Sequence, residues 1–221
     1  MLLRCADDVG GVALECEPGG QDHESELMRE RLIDLMSPRK GHFKLESGHH
    51  GELWLDLDSL FLRPGEVVPF VVELARRLSL HDVEAVCGPL EGGAFLAQEI
   101  ARELDVEFYY SVRSGPAPAD ALYAVEYRVP GALRGQARGR RFAVVDDAVN
   151  AGSAVRGTAA DLQACGAEPV AIGALLVLGS AAASFAAERN VPLERITALP
   201  NALWAPSECP LCASLEPLEN G

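Results

Sequence analysis

Lysine is nearly missing from this sequence: Lys40 and Lys44 are the only two, and every other basic residue is arginine. The 19 basic residues are outnumbered by 33 acidic ones, for a formal charge of -14. The overall field therefore repels polyanions, which argues against nucleic acid as a partner. It still permits a phosphorylated small molecule, because a helix N-terminus and a few arginines can hold phosphate locally. Long apolar runs are missing too. The longest, from Val170 through Leu178 to Phe185, is interrupted by Gly173, Gly179 and Ser180, which suits a buried strand and a following helix better than a membrane span. The opening Met1-Leu2-Leu3-Arg4-Cys5 meets Asp7 and Asp8 too soon for a signal peptide. The expectation is a soluble cytoplasmic protein without a membrane partner. Cysteines at 5, 16, 87, 165, 209 and 212 make no regular framework, and in a reducing compartment they are free thiols. Repeats and low-complexity blocks are absent as well.

What is there suits one globular domain with small attachments, since 221 residues can bury a full core. Residues 1–22 mix Gly, acidic and small apolar residues without periodicity and read as a flexible arm. Residues 23–62 hold a helix, with Leu27, Met28, Leu32, Ile33, Leu35 and Met36 at helical spacing before Pro38, and then an alternating hairpin. Residues 63–198 form the core. Helices are expected at 64–78, 94–104, 153–165 and 181–189, and strands at 83–87, 106–110, 141–145 and 170–178. This alternation predicts an α/β fold, a central parallel sheet flanked by helices. Residues 114–139, rich in Gly, Pro and Ala, read as a mobile excursion with a strand at 122–127 and no clear helix. Residues 199–221 form a tail.

The chemistry concentrates at one strand end. Ligands of open parallel sheets sit beyond the carboxyl ends of the strands. There the chain runs from an apolar strand into Asp146 and Asp147, then Asn150, Ala151, Gly152, Ser153 and Ala154 open a helix. Small residues let backbone N–H groups approach a phosphate, Asn150 and Ser153 add side-chain bonds, and the helix dipole favours the anion. The carboxylates are placed to accept bonds from sugar hydroxyls and to stabilise positive charge developing on a ribose ring. A plainer reading makes the same residues a capped helix start.

The segment from Phe142 to Ala154 closely resembles the phosphoribosyl pyrophosphate-binding motif of type I phosphoribosyltransferases, with Ala148 and Asn150 as mild departures. Gly41 to Gly48 resembles the N-terminal hood segment of the orotate enzymes of that family, and Gly88 to Ala94 their pyrophosphate loop. The resemblance implies the type I phosphoribosyltransferase fold with a small N-terminal hood over residues 23–62. It implies Mg²⁺-dependent transfer of ribose 5-phosphate from phosphoribosyl pyrophosphate to a nitrogen base, by a homodimer. Carried over by residue, Asp146 and Asp147 address the ribose hydroxyls and meet Mg²⁺ through substrate or water. Asn150 to Ala154 hold the 5-phosphate, and Leu90, Glu91, Gly92 and Gly93 hold pyrophosphate and its metal. Arg113 is the basic catalytic residue, and Phe43, Lys44 and Ser180 lie at the base. A strained or cis peptide is implied near Leu90-Glu91.

The chain also departs from that pattern. The mobile loop has no lysine or histidine, so Arg128 and Arg134 are substitutes by location, although Arg134, Arg138, Arg140 and Arg141 also read as a solvated basic turn. Gly179-Ser180 stands where many orotate enzymes have Asp-Arg, and Glu46 where some have lysine. Both changes remove positive charge from the base site, which leaves the acceptor open. An alternative is a protein of this fold that senses a nucleotide or phosphoribosyl pyrophosphate without turnover. In the tail, Cys209-Pro210-Leu211-Cys212 has the spacing of half a zinc site. Completing it requires Cys5, Cys16, a histidine or another subunit. The simpler reading is a compact turn docking Trp204 and Leu211 on the core. His49 and His50 read as solvated loop residues and Trp54 as hairpin packing.

Overall fold

The computed structural model describes residues 20–45, 47–115 and 126–220. Most of the N-terminal arm, with Cys5 and Cys16, lies outside the described residues, as do Glu46 and the first part of the strand expected at 122–127. The chain enters through α1 (Gly20–Leu35), which packs Leu32 into the core ahead of buried Met36. A hairpin follows, β1 (Arg39–Lys44) and β2 (His50–Trp54), pairing Phe43 with Gly51 and Lys44 with His50 across a bulge between Lys40 and Phe43.

Helix α2 (Pro64–Leu78) starts on a proline, where the missing N–H costs nothing, and buries Val67, Phe70, Val71, Leu74, Ala75 and Leu78 along one stripe. Strand β3 (Ala85–Pro89) is buried throughout and leads to α3 (Gly92–Leu104) and β4 (Glu107–Ser114). After β5 (Glu126–Arg128) and α4 (Gly131–Ala137), the chain alternates through β6 (Arg141–Val149), α5 (Ser153–Ala164), β7 (Glu168–Leu178), α6 (Ala181–Glu188) and β8 (Leu193–Leu199).

The larger sheet has the order β5-β4-β3-β6-β7-β8. All its pairings are parallel except β4 with β5. Apolar layers cover both faces, one around Phe70, Leu74, Leu96, Ile100 and Leu175, the other around Phe142, Leu162 and Phe185. That two-sided burial is why the central strands are continuous hydrophobic runs. Gly173, which interrupts the longest run, sits tight between β6 and α2: a Cβ there would lie 3.0 Å from Val145 Cγ1 and 3.1 Å from Leu78 Cδ1.

Three stretches depart from the sequence expectation. Residues 126–137 are no open excursion, since β5 returns antiparallel on β4 and α4 follows. Helix α4 buries only Ala137, so it leaves no periodic signal. Contacts distant in sequence anchor the segment instead: Asp161 Oδ2 accepts from Arg134 at 2.6 Å and from the Val129 amide at 2.8 Å. The basic turn is likewise an ion-paired surface, with Arg140 on Glu107 at 2.7 Å and Arg141 near Glu84 at 3.6 Å. Strand β8 was unmarked because its central burial is limited to Ile196 and Thr197. In the tail, β9 (Leu203–Trp204) and β10 (Glu219–Asn220) flank a short helix α7 (Pro210–Ala213), and they extend the hairpin into a second sheet, β10-β1-β2-β9. The tail therefore clasps the hairpin on both edges, rather than resting on the core through Trp204 and Leu211.

Candidate active site

Strand β6 delivers the acidic pair. Successive strand residues point to opposite faces, so Asp146 lines a cavity while Asp147 turns towards the start of α3. Both are buried, at 9% and 6% exposure. The Asp147 amide donates to Asp146 Oδ1 at 3.2 Å, and the Ala148 amide donates to Asp147 Oδ1 at 2.7 Å. Burial nevertheless pushes the Asp147 carboxyl up to about 6, and the Asp58 carboxylate pushes the same way. A buried carboxylate held this high gains from a cation or from hydroxyl donors brought by a ligand.

Beyond Val149 the strand ends, and Gly152, at φ +79°, turns the chain into α5. Glycine adopts this left-handed geometry without steric cost. It caps the helix with no side-chain hydrogen bond, so the positive end of α5 faces the cavity that Asn150 to Ala154 line. Asn150 is steadied by Asn201, whose Nδ2 donates to its Oδ1 at 3.1 Å.

The loop between β3 and α3 closes the other side. Its Leu90-Glu91 peptide is cis, as the resemblance implied. Gly93 packs on Asp146, where a Cβ would come within 2.5 Å of Oδ1, and a Cβ on Gly92 would overlap the Asp147 carboxylate. Gly88 abuts the Gly93 carbonyl with no room for a side chain. The loop of residues 90–93 and the acidic pair thus meet in one place.

The cavity, about 310 Å³, lies between the α5 loop and the hairpin. Its walls include Leu45, Ser47, Trp54, Asp56 and Asp58 from the hairpin and the segment after it. These residues escaped sequence reasoning. Trp54 packs on Phe43 with ring centroids 5.6 Å apart, as hairpin packing predicts, and it also faces the cavity. All six residues from Leu53 to Asp58 line the cavity, so the alternation of Leu with Trp54, Asp56 and Asp58 does not by itself mark the wall.

The expected base residues are not gathered there. Phe43 is 1% exposed, beneath Trp54, so its ring is part of the packing and not of the cavity wall. Lys44 lies exposed on β1, and Ser180 is exposed at the start of α6. Arg113 is exposed near the end of β4, opposite Tyr127 of β5. Arg134, the substitute by location, is committed to Asp161, and Arg128 pairs with Glu126 at 3.0 Å.

A parallel sheet with an acidic strand end, a helix start without a side-chain cap and a glycine-lined neighbouring loop is the arrangement in which α/β proteins carry ligand sites beyond their strand termini. The sequence matches the model of the phosphoribosyl transferase domain over residues 68–193, and the chain belongs to that family. It is 30% identical over 197 residues to the orotate phosphoribosyltransferase of Caldanaerobacter subterraneus, covering 88% of this chain and 95% of the relative. With the orotate phosphoribosyltransferase of Thermotoga maritima it shares 32% identity over 196 residues, covering 87% and 96%. The crystal structure of orotate phosphoribosyltransferase from Aeropyrum pernix has the same fold, with a TM-score of 0.58 at 20% identity, over 77% of this chain and 93% of that one.

Proposed function

We propose that this protein is an orotate-type phosphoribosyltransferase, transferring ribose 5-phosphate from phosphoribosyl pyrophosphate to a nitrogen base in pyrimidine biosynthesis. The observation that carries the proposal is the uncapped start of α5 facing a cavity that Asp146 shares. The amides of residues 150–154 and the α5 dipole hold the 5-phosphate. Asp146 and Asp147 orient the ribose hydroxyls, and their charge stabilises the oxocarbenium-like ring as the bond to pyrophosphate breaks. Residues 90–93 hold the departing pyrophosphate, and Arg113 adds positive charge from β4.

The donor set fits Mg²⁺ reached through substrate or water, because two buried carboxylates meet the glycine loop and one of them is held well above its usual range. When bound, Mg²⁺ supplies countercharge to the pyrophosphate. A cytoplasmic homodimer completes the proposal.

The relatives' names point to orotate as the base. Among the described residues, however, the cavity is lined by Asp56, Asp58 and Asp146 with no basic side chain, so a base carboxylate must find its cation elsewhere. This favours testing a neutral base as the second reading. The assay is pyrophosphate release from phosphoribosyl pyrophosphate and Mg²⁺ with a panel of bases. Turnover of orotate alone supports the proposal, turnover of a neutral base alone supports the second reading, and binding without release from any base defeats both.

A further inference from the structure

The tail cysteines do not stand alone. His42 of β1, His50 of β2, Cys209 and Cys212 bring one ligand atom each to a common point, all within 4.8 Å of one another. His42 Nε2 lies 3.0 Å from His50 Nδ1, 3.4 Å from Cys209 Sγ and 3.7 Å from Cys212 Sγ, and Cys212 Sγ lies 3.2 Å from His50 Nδ1. Tetrahedral zinc with nitrogen and thiolate ligands sets such atoms about 3.3–3.8 Å apart, close to the four separations of 3.0, 3.2, 3.4 and 3.7 Å, and closing the remaining spread needs only small side-chain shifts.

Hydrogen bonding within the protein does not account for the convergence. His42 Nδ1 faces the Glu216 carbonyl at 2.9 Å. With its proton donated there, Nε2 has a single lone pair turned towards three other groups. A ring nitrogen donating to a backbone carbonyl while the other faces ligand atoms is the usual second-sphere support of a metal-bound histidine. His42, His50 and Cys209 are buried at 3%, 5% and 3% exposure. A closed set of four ligands without an open position is the structural type of site, not the catalytic type.

We propose that these four residues bind one structural Zn²⁺ that pins the C-terminal tail to the hairpin. The two strand pairings of the tail, β9 on β2 and β10 on β1, are each only two residues long in register, so the clasp needs another fastening. The consequence reaches the cavity, because the hairpin supplies Leu45, Ser47 and Trp54 to its wall and the tail's Asn201 holds Asn150. The assignment is independent of which base the protein uses.

The test is elemental analysis of the full chain purified without a metal-affinity tag, together with the double variant Cys209→Ser/Cys212→Ser and the single variant His50→Ala. The expected result is about one zinc per wild-type chain, with at least a tenfold loss in the double variant. Because a variant can fail to fold, wild-type protein is also stripped and reloaded with Co²⁺. The expected readout is the visible d–d absorption of a tetrahedral site with thiolate-to-cobalt charge transfer. Folded wild-type protein that neither carries zinc nor acquires this spectrum overturns the proposal, as does a Cys209–Cys212 disulfide found in freshly isolated protein.

Discussion

Gly92 and Asp147 are in direct contact across the gap between α3 and β6, so closely that a Cβ on the glycine would occupy the space of the Asp147 carboxylate. The first residue of a helix and the second acid of a strand end are thereby made one unit. Gly92→Ala should push the carboxylate or the helix start aside. Misplacing a catalytic group by about 1 Å can cost on the order of 100-fold in rate. We expect kcat/KM to fall by that order with the circular dichroism spectrum unchanged, and activity within twofold of wild type would show that the contact is unimportant.

Asp147 should also be visible in pH profiles. Its folded pKa, raised to about 6 by burial, exceeds that of the unfolded chain, so the folded state binds the extra proton between the two values. Stability from this group is therefore full at low pH and is lost as pH rises through about 6. Asp147→Asn should remove that loss and raise Tm at neutral pH while abolishing turnover. Thermal melts at pH 5 and pH 8 check the sign: the variant's advantage should appear at pH 8 and shrink at pH 5.

Gly152 holds φ +79° at the turn into α5. Alanine there costs about 1–2 kcal/mol of backbone strain and re-aims the amides of residues 150–154. Calorimetry with ribose 5-phosphate should show affinity weakened several-fold in Gly152→Ala. Unchanged affinity would place the phosphate elsewhere.

Arg134 offers a contrast, since its partner Asp161 also holds the Val129 amide. Arg134→Ala should lower Tm measurably, because it leaves the largely buried Asp161 carboxylate without its charged partner. The KM for pyrophosphate in the reverse reaction should stay within twofold of wild type. A large rise in that KM would restore Arg134 to the pyrophosphate site.

The sequence by itself determined the alternating architecture and the acidic strand end. Both are written in local patterns: stripes such as Val67 to Leu78, apolar runs such as Phe142 to Val145, and a small-residue turn centred on Gly152. Only the tertiary structure decided which distant groups share a space. The walls Trp54, Asp56 and Asp58, the commitment of Arg134 to Asp161, and the meeting of His42 and His50 with Cys209 and Cys212 join segments up to 170 residues apart. No periodicity encodes such encounters, because they depend on how the hairpin and tail pair edge to edge, and that pairing is fixed by the packing of the whole chain.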